Sequence, residues 1–587
     1  MSTLSPSDPP SRRPGFFRRL WQMAVAMFAQ VDGKAYGIQI FLAVVYVAML
    51  STWINTYSDY KAERQEVVQL IAEQKAAEID LPPVTPSIVL GIGSLICLVG
   101  WVNSLRLRRR LSALRRQRLT QASLWIVAIG VLVGWLPTDF AQTQFALFGQ
   151  GAIGERPSSI AYAGKLILIA LLVFSFPVAA MLHYRSSLLD QYVVRNFLTP
   201  FSFCLIGFIA IWLIADLTDN APDLAGAGPG VVLRFYVIQL PFMVLFVMPV
   251  TLLLSLLYTL SRMSKSNELI SMLGAGRSIV RVLLPIFLVG LYCSLICLVF
   301  KYEWAPRSEG YKDALLEEVK QAKNEKRRGR SLANPYQSFG WLYVNEVDHR
   351  TWFIGRVPYE LQKRKMDNIA IWQFDENDRL VASFRANSAK WFFGLNEWRL
   401  SQGKTYIYDH DGIPRVQSWD FLNVRNWRET PWKVVSSAQD PEYLGIPGLT
   451  TYLKNNADYD PRSLAPFRTN WWYCWAEPLS CFVMVLIAAP LGIVYSRRGV
   501  LGGVAASIVI FALSYFLSGA FVHLGQAGRV PPFIAAWATN FIFGLVGAGL
   551  LFFRARNREI PTPKVLLSRW RANRAARAAA DQAPVWS

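Results

Sequence analysis

Apolar residues run along much of this chain in unbroken blocks rather than alternating with polar ones, and each block is close to twenty residues long. A helix of that length spans the ~30 Å hydrocarbon core of a bilayer. Ten such spans are predicted, at about 36–57, 87–105, 122–138, 161–183, 201–217, 235–260, 279–299, 472–495, 501–523 and 533–553. The third is the shortest of the early four and is expected to stop at Leu136-Pro137. Between the seventh and eighth blocks the pattern changes. A charged stretch at 303–330 reads as helix, and then apolar positions recur every second residue, as in Trp341–Val344, Thr351–Ile354, Ile369–Phe374, Trp391–Phe393, Glu397–Leu400 and Thr405–Tyr408. Turn residues such as Asp375–Asp378 and Asp411-Gly412 separate these runs, so they predict short strands of a sandwich or jelly roll. A short helix is expected at 444–455, leading back to the next span.

Composition fits this reading. Of 587 residues, 53% are hydrophobic and only 17% charged, too few charges for a soluble chain of this size. The net charge of +21 would suggest nucleic acid in a soluble protein, but here its placement matters more. Arg106, Arg108, Arg109, Arg110, Arg115, Arg116 and Arg118 crowd one short loop. The first 33 residues, the 261–281 loop, Arg497-Arg498 and the tail from Arg554 are basic as well, whereas the alternate loops are mixed or acidic. With ten spans, every strongly basic short loop falls on one side, which is the cytoplasmic side by the positive-inside rule. Both termini are then expected in the cytoplasm of a multi-pass membrane protein. The first apolar block has no small-residue cleavage site after it, so it reads as a retained helix rather than a signal peptide.

Motifs for chemistry are missing. There is no G-x-x-x-x-G-K-[ST] phosphate cradle, no H-E-x-x-H and no G-x-S-x-G, and no span carries a central pair of carboxylates or histidines. The six cysteines lie in or beside apolar spans and the four histidines are scattered, so neither a disulfide framework nor a metal site is expected. The loop between the sixth and seventh spans is more informative. Ser266 or Asn267 can cap a short helix with Glu268 in its first turn, Leu269, Met272 and Leu273 form one apolar stripe, and Gly274 or Gly276 ends it. Such a helix is either a mechanical handle for a cytoplasmic partner or an amphipathic segment resting on lipid headgroups.

The segment Asn267-Glu268-Leu269-Ile270-Ser271-Met272-Leu273-Gly274-Ala275-Gly276 resembles the coupling helix of the LptF/LptG lipopolysaccharide-export permeases. Further stretches agree in order: Leu189-Asp190-Gln191-Tyr192, Glu303-Trp304-Ala305-Pro306, Trp398-Arg399-Leu400, Arg497-Arg498-Gly499, Gly528-Arg529-Val530-Pro531-Pro532, and Ala535-Ala536-Trp537 with Asn540. The resemblance runs from Leu188 to Arg556. It implies a polytopic α-helical membrane protein with an inserted periplasmic, jelly-roll-like β domain. The expected divisions are an extension of about four spans at 1–186, three permease spans at 187–300 with the coupling helix at 262–278, the β domain at 301–470, three more spans at 471–556 and a basic tail at 557–587. The implied role is transport rather than catalysis. A second permease subunit, either a paralogue or another copy, and a dimer of ATP-binding cytoplasmic subunits would act with this chain. Together they would extract lipopolysaccharide from the inner membrane and pass it to periplasmic bridge proteins. The alternative is the permease of another ATP-driven lipid or lipoprotein exporter.

By the same resemblance Glu268 would contact the ATPase, with Leu269, Met272 and Leu273 packing into its groove, and no cofactor would sit in this chain. The spans at 201–217 and 501–523 would line a lateral gate. Two departures stand out. The outer end of the first permease span carries Asp216 and Asp219 where basic residues would meet lipid phosphates, leaving Arg234, Lys301, Arg307 and Arg468 as candidate lipid ligands or ordinary interfacial anchors. The extra four spans at the N-terminus have no counterpart in the family pattern.

Overall fold

A computed structural model describes residues 36–72, 84–106, 112–148, 158–224, 228–308, short pieces between 311 and 320, 336–358, 365–392, 397–408, 413–425, 427–436, 440–457, 459–493 and 500–556. Among these, ten helices are long and apolar enough to cross a membrane. The chain divides into two units, Met1–Gln144 with Leu166–Ser186, and Phe145–Lys165 with Ser187–Ser587.

The first unit is built on α1 (Tyr36–Ala72), α2 (Thr85–Ser104), α3 (Ala113–Phe148) and most of α4 (Ser159–Arg185). Leu42, Met49, Leu90, Cys97, Leu124 and Val127 form its core. Small residues set how close α2 and α3 come. A Cβ added to Gly93 would lie 2.6 Å from the Gly134 Cα and 2.7 Å from the Gly130 carbonyl oxygen. Only glycine permits such an approach, the usual way apolar helices gain contact where lipid supplies no hydrophobic drive. Pro137 does not end α3 as expected from sequence, because the helix continues through it to Phe148.

In the second unit, α5 (Leu188–Leu224) and α6 (Pro229–Lys265) are joined by the short α7 (Glu268–Gly274) to α8 (Ile279–Val299). A π-turn at Phe300–Trp304 extends α8. After the β domain come α9 (Pro431–Ser436), α10 (Gly445–Asn455), α11 (Ala465–Ala476), α12 (Ser480–Gly492), α13 (Val500–Gln526) and α14 (Pro532–Ala555). The expected eighth span is broken: a 3-10 turn at Glu477–Leu479 separates α11 from α12 where Pro478 interrupts the ladder. The freed Ala476 carbonyl accepts the Asn540 amide at 2.6 Å. The bundle centre is made by α6, α8 and α12, where Leu252, Leu256, Leu260, Leu283, Ile286, Val485 and Ala488 are sealed from solvent. By contrast, α5, α13 and α14 leave most of their apolar side chains uncovered, Phe203, Phe516 and Leu545 among them.

Six strands, β1 (Tyr336–Asn345), β2 (Arg350–Pro358), β3 (Met366–Phe374), β4 (Leu380–Phe392), β5 (Glu397–Tyr408) and β6 (Pro414–Arg425), form one antiparallel sheet in chain order. This β domain has the aromatic-rich, period-two face read from sequence. Each strand pairs with its neighbour in the chain, so among the described residues the strand order of the β domain is a meander without the crossovers of a Greek key. The two expected runs at 397–400 and 405–408 are one strand, and β6 was not anticipated. The charged stretch expected at 303–330 lies largely outside the described residues. On the inner face Trp352, Ile354, Ile369, Ile371, Trp398 and Leu400 alternate along their strands and pack with Val434 of α9. The Trp352 and Trp398 rings lie 5.2 Å apart and fill the interior. A buried charged knot closes one end: the Glu429 carboxylate accepts from Arg350 Nε at 2.7 Å and Nη2 at 3.0 Å and from Asn345 Nδ2 at 2.8 Å. The Glu429 backbone carbonyl accepts from Trp398 Nε1 at 2.6 Å. An ion pair so fully hydrogen-bonded recovers much of its desolvation cost.

Candidate functional site

The loop between α6 and α8 is shaped by backbone chirality. Asn267 sits in the left-handed region at φ 58°, which asparagine tolerates better than most residues, and its N–H donates to the Ser264 carbonyl at 3.2 Å. This terminates α6. The side-chain cap expected at Ser266 or Asn267 does not form: Ser266 Oγ turns back to the Arg262 carbonyl at 3.1 Å, and Asn267 occupies the N-cap position without a side-chain bond. Gly276, at φ 82°, closes the far side with its N–H on the Leu273 carbonyl at 3.0 Å. Ser278 then caps α8 by accepting the Arg281 N–H at 3.3 Å. The chain therefore makes a sharp bend, two turns of helix, and a second sharp bend.

Between the bends, α7 lies with its apolar stripe turned inward. Leu269 is 1% exposed and Met272 8% exposed, both within the core cluster that holds Val193, Phe197, Leu256, Met263, Ile279 and Val282. Leu273 packs at the edge of that cluster. Leu269 and Met272, expected to pack into a partner's groove, here lie inside the chain's own cluster and fasten α7 to it. The uncovered face carries Ile270, Ser271 and Gly274, with Glu268 half-buried beside them. Ile270 was passed over from sequence because it falls outside the i, i+3, i+4 stripe. That same position signals an apolar side chain held away from the protein's own core.

Glu268 is not isolated. Its Oε2 accepts the Tyr192 hydroxyl at 3.0 Å, and Tyr192 belongs to the first turns of α5. Nearby, the buried carboxylate of Asp190 lies between two arginines of the loop, with Arg277 Nη1 at 3.3 Å and Arg281 Nη2 at 3.4 Å. Arg277 also donates to Ser187 Oγ at 3.4 Å, the same hydroxyl that accepts the Asp190 N–H at 3.2 Å to cap α5.

The four candidate lipid ligands lie at the opposite end of these helices and separate into two pairs. Lys301 is matched to Glu477 at 2.7 Å and lies over the Tyr473 ring. Arg307 is matched to Glu303 at 2.7 Å. Arg234 and Arg468 are exposed and have no carboxylate partner among the described residues. The acidic end of α5 away from α7 is also balanced within the chain. Asp216 accepts from Gln239 at 2.9 Å and lies 3.9 Å from Lys312, while Asp223 pairs with Lys320 at 3.0 Å.

An aromatic row crosses the bundle. Trp212 of α5 meets Phe246 of α6 at 5.0 Å, and Phe246 meets Tyr515 of α13 at 5.4 Å. Helix α6 is thus the shared backing for α5 and α13. Beneath this row a cavity of about 70 Å³ is bordered by Tyr473, Glu477, Ser514, Ser518 and Asn540. Its lining is mostly apolar, and Glu477, Ser514, Ser518 and Asn540 supply its polar groups. No group of three or more metal-binding side chains occurs among the described residues.

A family model described as the lipopolysaccharide export system permease LptF/LptG matches residues 191–553, more than half of the chain. The lipopolysaccharide export system permease protein LptG of Escherichia coli strain K12 is 25% identical over 379 residues, which cover 62% of this chain and 97% of that protein. The LptG protein of Escherichia coli O6:H1 strain CFT073 matches to the same extent. The family model begins at residue 191 and leaves the four N-terminal spans unmatched.

Proposed function

Because the chain belongs to the LptF/LptG family of lipopolysaccharide export permeases, we propose that it is the permease subunit of an ATP-driven exporter which lifts lipopolysaccharide out of the inner membrane. In this reading a second permease subunit pairs with it, a dimer of cytoplasmic ATPases drives both, and the β domain hands the lipid to a periplasmic bridge. The observation that carries the reading is α7. A two-turn helix is fastened to the bundle by Leu269 and Met272 and presents Glu268, Ile270 and Ser271 outward, in a chain with no nucleotide-binding motif of its own.

The energetics demand an external motor. Drawing acyl chains from a bilayer costs about 0.8 kcal/mol per exposed CH₂, and a molecule with several chains exceeds thermal energy many times over. A cavity walled by apolar side chains offsets that cost while the lipid leaves the leaflet. The uncovered faces of α5 and α13, which share α6 as backing, are suited to line such a space with a second subunit. Arg234 and Arg468, exposed and without a carboxylate partner among the described residues, at the end away from α7, are the residues we assign to lipid phosphates. Lys301 and Arg307, each holding a carboxylate, are better placed to brace the bundle. The interior of the sheet is filled by tryptophans, so we assign lipid transfer to a surface or opened form of the β domain.

The reading is tested by mild detergent extraction followed by identification of co-purifying subunits and lipid, then reconstitution in vesicles. We expect an ATPase subunit, a lipid A-bearing glycolipid and ATP-dependent release. An assembly lacking any nucleotide-hydrolysing component, or one carrying lipoprotein instead of glycolipid, refutes it.

A further inference from the structure

The foot of α5 and the short helix α7 are joined by more than the shared core. Val193 and Phe197 of α5 lie in the same buried cluster as Leu269 and Met272 of α7. Around that apolar contact stand two polar ones: Asp190 between Arg277 and Arg281, and Tyr192 on Glu268. Each polar contact joins α5 to the loop bearing α7, across 76 residues or more of sequence. Immediately above this foot the helix is weakened. Pro200 removes one ladder hydrogen bond. Thr199 and Ser202 turn their hydroxyls onto the Arg195 and Leu198 carbonyls at 3.1 and 2.9 Å, a pattern that bends helices. Beyond the proline Phe203, Ile206, Ile211 and Ile214 are all exposed.

We propose that the foot of α5 and α7 move as one piece, latched by Asp190 between Arg277 and Arg281 and by Tyr192 on Glu268, and that this piece pivots the upper part of α5 about Pro200. Asp190 is then a positioning residue: it touches no lipid and no nucleotide, yet it transmits a push on α7 to the helix that walls the lipid space. The geometry explains why a carboxylate is buried at a helix foot. One arginine would satisfy it, but two tie it to both ends of the bend after Gly276. Tyr192 has a second effect, since it fixes one oxygen of Glu268 and leaves the other directed to a partner. The proposal rests on the exporter reading for the source of the push, but the latch itself is a property of this chain.

Two measurements test it. Spin labels at Leu198→Cys and Ala275→Cys, both exposed, are placed in a background where the half-buried Cys204 is serine, the other five cysteines being buried. Pulsed dipolar distances are then recorded without nucleotide. The native latch gives one narrow distribution, and Asp190→Asn gives a broadened one with a second population. In vesicles with the ATPase, Asp190→Asn keeps hydrolysing ATP while lipid released per ATP falls about tenfold, the size of a typical coupling factor between sites. An unchanged distance distribution in Asp190→Asn overturns the latch, and so does an unchanged lipid-to-ATP ratio. Where Asp190→Asn fails to give a monodisperse assembly, Arg281→Gln is read in both assays, because that side chain is half exposed and outside the core. Native distances and a native ratio in Arg281→Gln overturn the latch equally. A wild-type assembly that releases no glycolipid refutes the exporter reading instead, and the nucleotide-free distances still decide the latch.

Discussion

Replacing Leu269 by alanine is the sharpest probe of how α7 is mounted. The side chain is 1% exposed and loses three carbons. At about 0.8 kcal/mol per buried CH₂ the lost transfer energy is ~2.4 kcal/mol. Residual cavity space raises the cost toward ~3 kcal/mol. The bundle need not unfold to escape this penalty, because α7 is bounded by two sharp bends at Asn267 and Gly276 and can detach by itself. On the ~2.4 kcal/mol transfer cost alone the population of detached helix rises about 50-fold, since 1.4 kcal/mol corresponds to a factor of ten. Hydrogen exchange reads this directly at the Ser271 and Ala275 amides, which donate to the Asn267 and Ser271 carbonyls at 2.9 and 3.0 Å. They should exchange tens of times faster while amides in α6 and α12 keep their protection, and stimulation of the ATPase should fall with them. Ile270→Ala is the matched control, because that side chain is 47% exposed. It should leave exchange unchanged and weaken only ATPase binding. Equal acceleration in the two variants, or none in Leu269→Ala, would refute an inward-facing stripe.

Three further outcomes follow from the same structure. Glu268→Lys should abolish coupled lipid release without lowering thermal stability, because the carboxylate lies at the surface and loses only the Tyr192 contact; coupled release at the wild-type rate argues against its role. Lys301→Met should strand the Glu477 carboxylate and lower stability by about 3–5 kcal/mol, whereas adding Glu477→Gln should recover most of the loss. Melting curves in detergent decide this, and a double variant as unstable as the single one counts against an isolated pair. In the β domain, burial pushes the Tyr343 phenol well above the ordinary tyrosine range, with the neighbouring Tyr459 adding to the effect. A raised value in the folded state means that folding favours the protonated phenol. That stability is complete below pH ~10 and declines as pH climbs past it. Tyr343→Phe should therefore cost stability near neutrality and lose less than the wild type above pH ~10, narrowing the gap between the two in denaturant titrations.

Element existence was legible wherever length alone decides. A block of twenty apolar residues has few alternatives to a spanning helix, and ten were found where ten were read. Boundaries were less legible, because α5 and α6 each continue for 37 residues, well past their apolar blocks. Pro137 illustrates why: a helix backed by neighbours can carry a proline that would end an isolated one. In the loop at 261–281 the helix and its closing glycine were readable from residue types. The direction of its stripe was not, since Leu269 and Met272 state only that one face is apolar. Whether that face meets this chain or another depends on Val193, Phe197 and Ile279, which lie far away in sequence. The same holds for charges. Nothing in the local sequence reveals that Lys301 faces Glu477, a carboxylate 176 positions on, or that Asp190 waits for Arg277 and Arg281. The meander escaped detection for the reverse reason, because short runs of alternating residues fix strand faces and leave strand order open.

That strand order matters during biosynthesis. Every strand of the sheet joins the one made just before it, so pairing never awaits a distant segment. A ribosome adding residues one at a time can release this domain already half assembled, before α11 to α14 exist. Its tryptophan interior can thereby be covered early, while the remaining spans are still being made.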